Sequence, residues 1–219
     1  AEWHAGSRCG VSDQAAMVLG GLDEVVNVAL DPDRLDASDA RRLPFPRDAA
    51  ILVVNSHTKR SLSGAQMIEY ARNRFAYSLA MDVIRCEMHA AGFALRSIEL
   101  AGRLDHLTPQ VMPEFADVAR VYDLLTRVPL EPSIEELRAR YPLPSFASSY
   151  ERYFGAVPPD QRPARVQLRG PLLFGMAESE RARLFPDALQ SGDLARLGRL
   201  MSLGHDGDRR VCADGRPYV

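Results

Sequence analysis

Lysine is almost absent from this chain: Lys59 is the only one, and every other basic residue is an arginine. A Walker-type phosphate loop needs Gly-x4-Gly-Lys-Ser/Thr, and Lys59 sits in Ser-His-Thr-Lys-Arg with no glycine before it. That nucleotide-binding architecture is excluded. Cysteine is scarce too. Cys9, Cys86 and Cys212 are odd in number and unrelated in spacing, so neither a disulfide framework nor a zinc cluster follows, and a reducing cytoplasm is the expected compartment. The five histidines, His4, His57, His89, His106 and His205, form no two-ligand helical pair, and no metal site built by the protein is expected. The chain has no apolar run of about eighteen residues such as a membrane span requires, and its first residues lack the charged and apolar regions of a signal peptide. A strong charge of either sign is missing as well: the net charge of −2 and pI of about 6.2 give no electrostatic case for nucleic acid or an anionic membrane.

What is present is enough apolar material, 46% of 219 residues, to bury a core in one or two domains. The pattern reads as α+β. A short helix is predicted over 13–19. The segments 24–30, 38–43 and 50–55 read as three strands, separated by Asp31-Pro32-Asp33 and by Pro44-Phe45-Pro46-Arg47-Asp48, and such short turn-rich links favour an antiparallel meander. Ile68, Ala71, Phe75, Leu79, Val83, Cys86 and Ala90 recur in steps of three and four, which predicts a long amphipathic helix over 64–91. Helices are also predicted at 93–102, 113–128, 133–140 and 146–154, punctuated by prolines. Residues 156–171 read as a linker. Helices at 172–190 and 193–203 follow, joined at Ser191-Gly192-Asp193, where Gly192 suits a C-cap and Asp193 an N-cap. The tail 204–219 is expected to be irregular.

The most informative chemistry lies in Cys9-Gly10-Val11-Ser12-Asp13-Gln14. Gly10 lets the backbone approach a ligand closely, Cys9 is small, and Asp13 precedes a helix-like run. Such a carboxylate can be held against a substrate. It can equally be a helix cap, since the oxygen of Ser12 or Asp13 suits free N–H groups at a helix start.

This segment resembles the Cys-Gly-Ile-Met-Asp-Gln segment of galactokinases, sugar kinases of the GHMP superfamily, and further stretches follow in the same order. Glu24 to Asp31 resembles the strand after that segment. Residues 51–62, Ile-Leu-Val-Val-Asn-Ser-His-Thr-Lys-Arg-Ser-Leu, resemble the family's strand ending in Asn-Ser. Tyr70-Ala71-Arg72-Asn73-Arg74 falls where galactokinases carry a Tyr followed by paired arginines. Glu178-Ser179-Glu180-Arg181, Ala188-Leu189, Gly192-Asp193 and Leu197 to His205 resemble the late helical pair, although Gly204 stands where a Ser is usual. The likeness is thin between residues 95 and 170.

The resemblance implies a GHMP-kinase-like α+β fold, with an antiparallel strand meander and a mostly helical C-terminal region. Residues 1–20 would end the N-terminal kinase domain and carry the catalytic-Asp motif, and 21–219 would form the C-terminal domain. The implied activity is ATP-dependent phosphorylation of a monosaccharide at its anomeric hydroxyl. Asp13 would face the reacting hydroxyl, Cys9 and Gly10 would border the sugar, and Tyr70 would hydrogen-bond a sugar hydroxyl. Tyr70, Arg74 and Tyr77 alternatively form a plain stripe on the long helix. Asn55 and Ser56 could reach a ligand or terminate a strand, and Lys59 and Arg60 could meet phosphate or solvent. ATP and nucleotide-bound Mg2+ are the implied cofactors, with no protein metal ligand, no nucleic acid and no membrane as partners, and a monomer as the expected state. A glycine-serine-rich phosphate loop, an early Arg-containing sugar motif and a late Gly-rich segment have no counterpart here, and the chain starts at Ala1. The expectation is the middle and later part of a longer protein, inactive on its own. Ser12 in place of Met leaves a second reading, a non-catalytic sugar-binding or regulatory protein on the same fold. A third is a helical interaction module.

Overall fold

The computed structural model describes residues 12–28, 40–55, 57 and 65–207. They form helices and a small antiparallel sheet, in the order α1 (Ser12–Leu19), β1 (Glu24–Asn27), β2 (Arg41–Pro44), α2 (Ala65–Ala90), α3 (Leu95–Leu100), α4 (Val118–Arg127), α5 (Ile134–Arg140), α6 (Phe146–Phe154), α7 (Arg169–Gln190) and α8 (Leu194–Gly207). Among them no helix is long and apolar enough to cross a membrane. The chain divides into two compact units, residues 1–60 with 181–219, and residues 61–180.

In the first unit β1 pairs antiparallel with β2, Val25 opposite Leu43 and Val26 opposite Arg42. Leu43 is buried with Ala188, Leu189 and Leu197, and Val25, Phe185 and Leu200 pack around them. The turn between α7 and α8 follows the predicted caps. Gly192, at φ +67°, donates its N–H to Leu189 O at 3.1 Å, and Asp193 N–H reaches Ala188 O at 3.0 Å; this pair of bonds satisfies carbonyls that the helix end leaves over. Asp193 Oδ1 then accepts from Arg196 N–H at 2.9 Å and starts α8.

Two expectations fail in this unit. Residues 50–55 form no strand, so the predicted meander is a two-stranded hairpin among the described residues. Ile51, Leu52, Val53 and Val54 stand exposed at 75–89% of their surface. A strand needs a partner as well as an apolar composition, and none of the described residues pairs with this run. The helix α8 also continues through His205 to Gly207, into the stretch expected to be irregular; residues 208–219 lie outside the described ones.

The second unit is built on α2. Phe75, Leu79, Val83, Ile84 and Met88 are fully buried along it, so the predicted stripe is real although Ala90 is exposed. The Phe75 ring meets Phe146, Tyr150 and Phe154 of α6 edge to face, with centroids 5.2–5.8 Å apart, an arrangement in which ring edges meet electron-rich faces. The segment expected as one helix, 113–128, is split into a 3-10 turn over Pro113–Ala116 and α4, because Asp117 leaves helical geometry to accept the Arg120 N–H. Ser133 and Glu136 form a reciprocal capping box at the start of α5.

Residues 156–171 do not behave as a linker. Val166 and Leu168 are buried, and their N–H groups donate to Pro132 O and Leu130 O at 3.0 Å while Ile134 N–H donates to Ala164 O at 2.9 Å. Proline and arginine suggested a spacer, but alternate apolar residues dock this stretch along 130–134.

Candidate functional site

Asp13 lies in the first turn of α1 and is exposed, while Ala15 is the residue that buries the helix. Its carboxylate has no hydrogen-bond or ion-pair partner among the described residues, so it caps nothing there. Cys9 and Gly10, the expected neighbours of a substrate, lie outside the described residues, as do Ser56, Lys59 and Arg60. His205, exposed in the last turn of α8, belongs to the same unit as Asp13.

Tyr70 belongs to the unit of residues 61–180. It is half-buried on α2, where Arg74 Nε donates to its oxygen at 3.0 Å and the Arg74 guanidinium lies over its ring, 5.3 Å from the centroid. Tyr70 and Arg74, the i, i+4 pair of the suggested stripe, thus meet. Arg72 pairs with Glu69 at 3.8 Å. Asn55 Oδ1 accepts the His57 N–H at 2.8 Å, closing a local turn in which His57 takes φ +56°; such a side-chain bond to the following backbone is a turn-forming role. Among the described residues no three histidine, cysteine, aspartate or glutamate side chains gather in one place.

A second cluster is absent from the sequence reading. Asp82 and Glu87 are buried acids on α2, 2% and 7% exposed. Asp82 Oδ1 accepts from Arg85 Nη2 at 2.5 Å, and its Oδ2 accepts the Ser145 N–H at 3.0 Å and the Ser145 hydroxyl at 2.6 Å. Glu87 Oε1 accepts from the Tyr141 hydroxyl at 2.7 Å and from Arg140 Nη2 at 3.2 Å. Buried charge is costly unless paired and hydrogen-bonded, and both acids meet that demand by holding the loop between α5 and α6. The available signal was position: each acid lies three or four residues after a stripe residue, Leu79 or Val83, and so on the buried side of α2.

Between these acids lies Cys86, half-buried. Burial raises its thiol pKa, Asp82 and Glu87 push it the same way, and Arg85 opposes them. The thiol therefore stays protonated and is a poor nucleophile. Burial likewise raises the Tyr141 pKa, helped by its bond to Glu87 and the charge there. The arrangement around α2 holds a loop and shapes a surface; it has no activated nucleophile.

No protein-family model matches this chain, and neither a curated protein nor a solved structure matches it.

Proposed function

We propose that this chain is part of a galactokinase-like sugar 1-kinase on a GHMP-type α+β fold, transferring the γ-phosphoryl group of ATP to the anomeric hydroxyl of a monosaccharide. The observation that carries the reading is Asp13: an exposed carboxylate, unpaired among the described residues, in the first turn of the helix that follows Cys9-Gly10 in the sequence. The order of α1, the antiparallel hairpin and the late pair α7 and α8 joined at Gly192-Asp193 supports it, while the strand that the resemblance implies at 51–55 is not formed.

Phosphoryl transfer asks a protein mainly to position groups and to stabilise charge. The anomeric oxygen attacks the γ-phosphorus while the bond to the departing ADP oxygen breaks, and the hydroxyl proton leaves to a base or to water. Asp13 orients that hydroxyl and accepts its proton. The small residues Cys9 and Gly10 let the sugar ring approach the main chain. The sequence resemblance also assigns a sugar hydroxyl to Tyr70, whose ring and oxygen Arg74 holds. Mg2+ held by the nucleotide would supply charge stabilisation at the phosphates.

ADP release by the full-length protein containing this chain, measured across a panel of hexoses, tests the reading. One or more sugars are expected to drive turnover, and Asp13→Ala to lower kcat by about 10²–10⁴ with little change in sugar KM. Undiminished turnover in Asp13→Ala removes Asp13 from the chemistry. Sugar binding with no ADP release in the unmodified protein replaces the kinase with a sugar-binding protein.

A further inference from the structure

Within the unit of residues 61–180, a cleft of about 740 Å³ opens between α2, α3 and the loop joining α5 to α6. Its size falls within the roughly 300–1,000 Å³ of small-molecule sites. The walls are apolar: Ile98 from α3, Pro142, Leu143 and Pro144 from the loop, and the protonated Cys86 from α2. Two prolines and the anchors on Asp82 and Glu87 hold the loop side of this open groove in place.

The polar groups of the lining are unequal. Asp82, its one acid, has both oxygens occupied by Arg85 and Ser145. Arg85 gives Nη2 to Asp82, is about one-third exposed, and keeps Nε and Nη1 without a partner among the described residues. His89, one turn along α2, is exposed, and its ring makes no hydrogen bond among the described residues. The side chains therefore offer spare donors on one rim of an apolar trough, and no spare carboxylate.

We propose that this cleft binds a small amphiphilic carboxylate, its apolar body against Ile98, Leu143 and the two prolines and its anionic head on Arg85 and His89. The planar donors of a guanidinium match a carboxylate better than a hydroxyl. A cationic head would meet Arg85 and find no open acid. An alcohol with the same tail would bury the same apolar area and forgo the charge-assisted bonds.

Decanoate and decyltrimethylammonium, each below its micellar concentration, and decanol, below its solubility limit, are the probes. Binding to the full chain is read by calorimetry, and occupancy of the cleft by iodoacetamide alkylation of Cys86, followed in its own peptide by mass spectrometry. Decanoate is expected to bind saturably, to slow Cys86 alkylation, and to exceed decanol in affinity by about tenfold, or about 1.4 kcal/mol. His89→Gln and Arg85→Gln are each expected to weaken decanoate by a factor of about three or more and to leave decanol unchanged. Because Arg85 also pairs with Asp82, the exposed His89→Gln variant keeps the test decisive if Arg85→Gln misfolds. The proposal is overturned by absent binding, by equal affinity for decanoate and decanol, by decanoate binding without protection of Cys86, or by decanoate binding unchanged in His89→Gln.

Discussion

Glu87 and Tyr141 meet inside the helical unit, and their contact makes the phenol a late acid. Burial raises its pKa first, the bond to Glu87 and that carboxylate's charge add to the effect, and Arg140 opposes it. An unfolded chain gives up a tyrosine proton near pH ~10, whereas this folded chain holds it to higher pH. Above that point the native state binds more protons than the unfolded one, so stability falls as pH rises. Cys86 acts in the same direction from a lower starting value of 9.0, since burial and then Asp82 raise it. Urea midpoints are therefore expected to decline from about pH 9 upward, and Tyr141→Phe to flatten the part above about pH 10. At neutral pH the same variant is expected to cost about 1–2 kcal/mol, because Glu87 Oε1 is then left with Arg140 alone. Nothing local in the sequence pairs these residues. Glu87 and Tyr141 lie 54 positions apart, and Asp82 and Ser145 lie 63 apart, beyond the reach of helical periodicity.

Elements whose ends carry their own chemistry were legible. α6 runs over 146–154 as predicted, and α5 begins after Ser133, whose capping box fixes the start. The end of α7 was legible for the same reason: Gly192 takes φ +67° with nothing within 4 Å of the place a Cβ would occupy. Gly192→Ala should thus cost conformational strain without a clash, about 1 kcal/mol, read as a lower urea midpoint at unchanged slope; a loss near zero would show that the turn relaxes. Elements that depend on a distant partner were misread. The run Ile51 to Val54 has strand composition, but pairing is a property of two segments. Residues 156–171 have linker composition, yet Val166 and Leu168 find a groove that only the folded unit provides. Of the candidate site, the helix start at Asp13 and the Tyr70–Arg74 spacing were readable. The acids on α2 were not, because a charged residue beside an apolar stripe looks solvated until its partners are known.

Among the described residues, the apolar surface is unevenly satisfied. Ile51, Leu52, Val53 and Val54 expose it in one uninterrupted run, the kind of segment that pairs with other chains when it has no neighbour. Val53→Lys is expected to change stability by less than about 0.5 kcal/mol and to reduce concentration-dependent light scattering; unchanged scattering would place self-association elsewhere. In the helical unit the Phe75 side of α2 is closed by rings far apart in sequence. Phe75 is covered by Phe154, about eighty residues further on. During synthesis at roughly 5–20 residues per second, α2 leaves the ribosome on the order of 10 s before the aromatic residue that shields it. For that interval the stripe of Phe75, Leu79 and Val83 lacks the rings that cover it in the folded unit, so the long separation between α2 and α6 leaves this apolar face open until α6 has been made.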